Sequence, residues 1–185
     1  MRRHELEITD KDEAISILEK CQSLVLGMID ITGDTPIPYT VPLNFSTRND
    51  KDGQLKIYFH GAQEGRKMDI LEKNRSVCFT AILNEKISDG NKPNEACQWT
   101  TNYESIFGTG VAKILYGPHQ PKRPNETSRP EGLLATIAEK TTRQKAMDAL
   151  MKKSGFIGKP EYSAKIMDTM PIIEITVTEI TGKRR

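Results

Sequence analysis

Leu55-Lys56-Ile57-Tyr58-Phe59-His60-Gly61-Ala62-Gln63-Glu64-Gly65-Arg66-Lys67-Met68-Asp69-Ile70-Leu71 changes period in its middle. Up to His60 the residues alternate, Leu55, Ile57 and Phe59 against Lys56, Tyr58 and His60, which is the pattern of a β-strand. Gly61 and Gly65 interrupt it, and Met68 and Leu71 continue at helical spacing. The start of that helix is anomalous. A helix N-terminus carries partial positive charge and usually attracts Asp or Glu, yet here Glu64 is followed at once by Arg66 and Lys67. Two cations beside free backbone N–H groups make sense around a bound anion, and phosphate is the usual one. The stretch therefore predicts a strand, an anion-binding loop and a helix, with Arg66 and Lys67 holding a phosphorylated cofactor. The plain alternative is a solvated helix end with two surface cations.

Working outward, the segments on either side are mostly strands. Residues 24–31 are nearly all apolar and read as a strand buried on both sides. Thr32-Gly33-Asp34 is a turn. Ile37, Tyr39, Val41, Leu43 and Phe45 alternate with Pro38, Thr40, Pro42 and Asn44, a strand with an irregularity, because proline cannot donate to a central ladder. With residues 54–60 it predicts an antiparallel hairpin around the turn at 49–53. Residues 76–83 and 98–116 read as further strands, with Gly108 and Gly110 as bulge points, and residues 173–177 as a closing strand. Helices are expected after Thr9, taken as an N-cap, over residues 131–153 up to Gly155, and over 163–170. In the first, Ala14, Ile15, Leu18 and Cys21 form the apolar face. In the second, Leu134, Ile137 and Ala138 form one short face and Ala146, Met147, Leu150 and Met151 another. Residues 118–130 carry four prolines and read as an exposed connection. Neighbouring antiparallel strands with segregated helices predict a mainly β chain with flanking helices, a β-barrel or an α+β class, rather than a doubly wound sheet.

The totals bound the function. A chain of 185 residues predicts a single domain over 1–185, with an insertion and helical lobe at 117–170. Net charge is only +2, from 27 basic and 25 acidic residues, which gives no footprint for nucleic acid. There is no apolar run of membrane-spanning length, and the charged Arg2-Arg3-His4-Glu5 start is not a secretory signal. Three widely spaced cysteines, Cys21, Cys78 and Cys97, fit a reducing compartment, so a cytoplasmic protein is expected. No three-ligand metal cluster, Walker A pattern, G-x-G-x-x-G after a strand or nucleophile elbow is visible.

Three further groups carry possible chemistry. In Tyr39-Thr40-Val41-Pro42-Leu43-Asn44 the proline leaves neighbouring backbone groups without ladder partners, and those can pair with the edge of a planar heterocycle; an ordinary edge strand is the alternative. His60 ends the strand that leads into the anion loop and could hydrogen-bond a ligand, carry a proton or ligate a metal, or simply be a half-buried structural residue. Ser105 could cap a phosphate from its strand or face solvent.

Taken together, Val41-Pro42-Leu43-Asn44-Phe45, Tyr58-Phe59-His60-Gly61-Ala62 with Glu64-Gly65-Arg66-Lys67 and Asp69, Val77-Cys78-Phe79, and Tyr103, Ser105-Ile106, Gly108 and Gly110 resemble the pyridoxamine 5'-phosphate oxidase-like flavoproteins. Within them the chain is most similar to the nitroimidazole-resistance (Nim-type) branch, which Met1-Arg2-Arg3 and the closing Ile180-Thr181-Gly182-Lys183-Arg184 also fit. The resemblance covers most of the chain and weakens over residues 117–140, where this chain carries an insertion.

The resemblance implies an FMN-binding split β-barrel homodimer with FMN at the subunit interface. It implies that Tyr39, Thr40, Val41, Pro42, Leu43 and Asn44 contact the isoalloxazine ring and ribityl chain. Phe59 and His60 would lie against the cofactor, Arg66 and Lys67 would clamp its phosphate, and Ser105 would be a further contact near it. His60 is then the candidate catalytic residue. The implied activity is reduction of a small-molecule acceptor, a nitroaromatic in this branch, with NADH or NADPH as electron donor. Two alternatives stand beside it: a split barrel that carries FMN or haem without turnover, and a pyridoxamine 5'-phosphate oxidase-like oxidase. The ending Thr181-Gly182-Lys183-Arg184-Arg185 does not match the substrate-binding carboxy-terminal segment of the namesake oxidase, which counts against the last.

Overall fold

The computed structural model of the chain describes residues 3–118 and 133–185. In order the elements are β1 (Glu7–Ile8), α1 (Lys11–Lys20), β2 (Ser23–Asp30), β3 (Ile37–Asn44), β4 (Ser46–Asn49), β5 (Leu55–His60), α2 (Arg66–Lys73), β6 (Ser76–Ser88), β7 (Thr100–Leu115), α3 (Leu133–Lys153), α4 (Ala164–Thr169) and β8 (Ile172–Arg184). The strands form one eight-stranded sheet in the order β3-β2-β6-β7-β8-β5-β4, with β1 added to β8. Every pairing is antiparallel. The two ends of that order, β3 and β4, are consecutive in the chain and joined only by buried Phe45. The sheet therefore curls on itself and its ends meet through the backbone rather than through a ladder. This is a mainly β split barrel with flanking helices, the class expected from the sequence.

Phe45 divides what alternation alone shows as one strand. Residues before it pair with β2, from Ile37 opposite Asp30 to Asn44 opposite Ser23. Those after it pair with β5, from Ser46 opposite Tyr58 to Asn49 opposite Leu55. The expected hairpin thus exists only in its β4 half. Strand β2 corrects a second expectation. It is apolar throughout but alternates in burial: Leu24, Leu26 and Met28 are inside, whereas Val25 and Ile29 are 39% and 43% exposed. Only one face of it is covered.

Inside the barrel the core gathers Leu24, Leu26, Phe45, Ile57, Phe59, Phe79, Ile106 and Ile175. Helix α1 adds Ala14, Ile17 and Leu18 to that core, and α2 adds Met68, Ile70 and Leu71. Each such side chain, fully buried, contributes about 1.5–3 kcal/mol. The cap of α1 is Asp10, not Thr9: its carboxylate accepts from the N–H of Asp12 at 2.8 Å and of Glu13 at 3.3 Å. A second cluster lies where Ala146, Met147 and Leu150 of α3 cover Tyr58, Leu115 and Ile172, with Met151 packed beside them. On the same helix Ile137 and Ala138, of the short face expected there, are exposed.

Strands β6 and β8 run longer than their sequence patterns, whereas β7 falls just inside its expected span of 98–116. An irregularity between Leu83 and Lys86 inserts one residue into β6 relative to β7. Past it the side-chain parity of β6 reverses, so Ile87 joins Ile82 on the outer face. The register of β7 with β8 shifts between Thr109 and Gly110, but the extra residue is Thr178 of β8, so the bulge faces Gly110 rather than lying in β7 at Gly108 or Gly110. Gly110 is also a matter of space, since a Cβ would lie 2.6 Å from the Ile175 side chain and from the Thr176 carbonyl. The expected connection at 118–130 lies, from residue 119 on, outside the described residues, as does most of the insertion at 117–140.

Candidate functional site

Strand β5 carries His60 to the rim of the barrel, and α2 begins six residues later. Between them Gly65 takes φ +121°, a backbone that side chains rarely permit, and forms the N-cap. Among the described residues no side chain caps this helix. Arg66 and Lys67 are its first two residues, so both cations stand beside the uncapped N–H groups, as the sequence implied.

The two cations are held differently. The guanidinium of Arg66 donates through Nε to Asp30 Oδ2 at 2.8 Å and lies 4.9 Å from the centroid of the Tyr39 ring. Its Nη groups have no partner among the described residues. Lys67 is half-buried, with Nζ 5.1 Å from the centroid of the Phe59 ring, and this burial lowers its pKa. Phe59 itself is 0% exposed. A ligand would therefore meet Lys67 rather than the Phe59 ring.

Asp30 closes the group from beneath. It is the last residue of β2, and its side chain is 7% exposed. Its Oδ1 accepts from the Thr32 hydroxyl at 2.6 Å and from the Thr32 N–H at 2.9 Å. Those two bonds, then the bond from Arg66, hold its pKa down at about 2. His60 lies at the solvent end of β5, yet its surroundings exclude enough water to lower its pKa, and the Lys67 charge adds to the shift. Near neutral pH it is a neutral imidazole, able to accept a proton or coordinate a metal through nitrogen. It has no hydrogen-bond partner among the described residues.

Strand β3 supplies the other wall. It is an edge strand, and an antiparallel ladder bonds alternate residues. Pro38 and Pro42 have no N–H, so the bonds to β2 fall to Ile37, Tyr39, Val41 and Leu43. The N–H and C=O of Thr40 turn to the open edge with the carbonyls of Pro38 and Pro42. The side chains of Tyr39, Val41 and Leu43 pack against the core, while those of Thr40, Pro42 and Asn44 are exposed. A cleft of about 500 Å³ opens on the outer face beside this edge, with Gly27, Pro38, Thr40, Cys78, Thr109 and Val111 among its walls.

The chain thus brings Arg66 to the Tyr39 ring and Lys67 to Phe59 and His60, while Thr40 faces the cleft on the other side of β3. It does not bring Ser105 to them. Ser105 sits opposite Ile82 and Lys183, five residues along β7 from Gly110, which is roughly 17 Å of strand. Sequence reasoning missed Asp30 and Thr32. The turn at Thr32-Gly33-Asp34 was visible, but nothing local marked Asp30 as the partner of a residue 36 positions away. The fit to a phosphorylated planar cofactor rests on an uncapped helix start with two cations and on an edge strand with unpaired backbone groups.

The sequence profile of pyridoxamine 5'-phosphate oxidase matches residues 10–184. No curated protein matches the chain. Among solved structures, a candidate 5-nitroimidazole antibiotic resistance protein from Bacteroides thetaiotaomicron is 23% identical, with a TM-score of 0.68 over 96% of this chain and 86% of that one. The flavocytochrome Anf3 from Azotobacter vinelandii is 18% identical, with a TM-score of 0.66 over 100% of this chain and 72% of that one. A FAD and haem binding protein from Mycobacterium smegmatis is 9% identical, with a TM-score of 0.68 over 96% and 72%. At such identities these likenesses speak for the fold. Among the described residues no helix is long and apolar enough to cross a membrane.

Proposed function

From the premise that the chain belongs to the pyridoxamine 5'-phosphate oxidase family, we propose that it is an FMN-binding oxidoreductase of the nitroaromatic-reducing kind. The observation that carries this reading is the pair Arg66 and Lys67 at the uncapped start of α2, beside an edge strand with unpaired backbone groups. Arg66 and Lys67 would hold the phosphate by charge-assisted hydrogen bonds. The Thr40 backbone and the Pro42 carbonyl would meet the polar edge of the ring system, with Val41, Leu43 and Asn44 setting the strand's position. Bound FMN would supply the redox chemistry, taking hydride from NADH or NADPH and passing electrons to the acceptor. His60 would orient the reactants at the rim and, as a neutral imidazole, accept rather than donate a proton.

The outer face of the sheet favours a second copy as partner. Val25, Ile29, Ile82, Ile87, Phe107 and Val111 are all exposed on one side of β2, β6 and β7. A contiguous apolar face of this kind marks an interaction surface. The cleft opens on that face, and Ser105 lies at its far end. A homodimer formed there would cover the cleft and offer Ser105 of one copy to the phosphate cluster of the other.

The test is a titration of the purified protein with FMN, FAD and riboflavin, read by the flavin spectrum. FMN should bind well ahead of riboflavin, and replacing Arg66 and Lys67 together by Ala should weaken FMN at least 100-fold, a loss of about 3 kcal/mol. A protein that binds none of the three sinks the reading. Bleaching of the loaded flavin by NADH or NADPH, and its reoxidation by a nitroaromatic, then tests the reductase activity. One observation favours a second reading, a flavin or haem carrier without turnover: the lowered pKa of His60 leaves a ring nitrogen unprotonated near neutral pH, as an axial ligand requires. A Soret band that disappears with His60→Ala would decide for it.

A further inference from the structure

Arg66 is half-exposed, at 51% for its side chain, and stands on the first turn of a helix. A long side chain in that position would ordinarily sample many rotamers and lose them on binding an anion. Here it is restrained on two sides. Asp30 takes the Nε hydrogen at 2.8 Å, and the Tyr39 ring lies under the guanidinium. Asp30 is itself fixed, because Thr32 gives both its N–H and its hydroxyl to the other carboxylate oxygen. A carboxylate facing the side of a guanidinium often takes Nε and one Nη together, the forked arrangement. This one takes Nε alone and leaves the terminal pair for something else.

We propose that Asp30, held by Thr32, is the positioning residue of the phosphate clamp: it fixes Arg66 through Nε so that the two Nη groups are presented together to the phosphate of the flavin. The inference rests on the flavin-phosphate reading given above and adds to it the origin of the preference for a phosphorylated flavin. The arrangement also has an opposing effect, since a carboxylate near a phosphate repels it. Arg66 stands between the two and is half in solvent, so that repulsion is screened, whereas the ordering of the guanidinium is lost outright when Asp30 is removed.

The experiment compares FMN and riboflavin binding by calorimetry in the wild type, Asp30→Ala and Thr32→Val. In Asp30→Ala the FMN affinity should fall about tenfold, the size of one hydrogen bond to a charged group, while riboflavin affinity stays within about twofold. Thr32→Val should shift the same ratio in the same direction by a smaller factor, and serves if Asp30→Ala folds poorly. Loss of structure would weaken both ligands alike, so the ratio separates positioning from folding. Unchanged or tighter FMN binding in Asp30→Ala overturns the proposal, as does an equal loss of both ligands in a variant that unfolds at the wild-type temperature. A wild type that binds FMN no better than riboflavin overturns the phosphate reading and this inference together. A wild-type preference that is undiminished in both variants overturns this inference alone.

Discussion

At the scale of single residues, Asp30 and His60 make opposite statements about pH. The Asp30 carboxyl falls from 3.8 to about 2 in the folded chain, so folding favours its ionised form. Its contribution to stability is complete above about pH 4 and is lost as pH falls towards 2. Urea midpoints of wild type and Asp30→Asn should differ near pH 6 and converge near pH 2. His60 has its pKa lowered, first by desolvation and then by Lys67. A proton-resolved NMR titration should place it below 6.5, and Lys67→Met should raise it. What could be read from the sequence here was the anomaly, since two cations at a helix start are adjacent in the chain. The partners of those cations were not legible. Asp30 meets Arg66 only because β2 ends beside α2, and Tyr39 lies under it only because β3 pairs with β2 in one register. Arg143 was equally silent. It is 2% exposed and ties α3 to the end of β7 and to α4 through the carbonyls of Leu115 at 2.5 Å, Met170 at 2.8 Å and Met167.

At the scale of elements, the sequence was most informative where one period ran without interruption. Strand β5 and helix α2 stand where the change of period put them, because a glycine loop separates two clean patterns. Strand β6 was cut short at Leu83 because the extra residue near Asn84, whose φ is +57°, reverses its alternation. Strand β8 runs on past Val177 to Arg184, though its later residues are too polar for the pattern to show it. Ladder bonds to β7 hold it in place of burial. Two substitutions test how the elements fit. Gly110→Ala would force a Cβ to 2.6 Å from the Ile175 side chain and should destabilise the chain by about 1–3 kcal/mol, measured by chemical denaturation. Lys153, at the end of α3, has its Nζ buried without a hydrogen-bond partner among the described residues, 3.3 Å from the centroid of the Phe45 ring. Burial lowers its pKa to about 8. Folding therefore disfavours its charge below the unfolded value, and stability rises with pH between about 8 and 10.5. Lys153→Met should stabilise the protein at pH 7, by on the order of 1–2 kcal/mol since the site is only partly dry, with the gain shrinking towards pH 10.5.

At the scale of the whole molecule, the apolar outer face is what the sequence announced and did not explain. Val25 and Ile29 led β2 to be read as buried on both sides, yet one chain covers only the inner side. If a second copy covers the outer face, Phe107→Lys should produce monomers in sedimentation velocity and weaken FMN binding as well. A monomeric wild type would refute the dimer reading. The same sheet bears on how the chain is made. Strand β8 lies between β7 and β5 and pairs with β7 across intervals as long as that from Glu104 to Arg184, yet it follows all its neighbours in chain order. A ribosome that has finished β2 to β7 holds two ladders, β3-β2-β6-β7 and β5-β4, linked through Phe45 but with the edges of β7 and β5 left open for β8. The interval before β8 emerges is when the nascent protein is most exposed to mispairing with its neighbours on the same message.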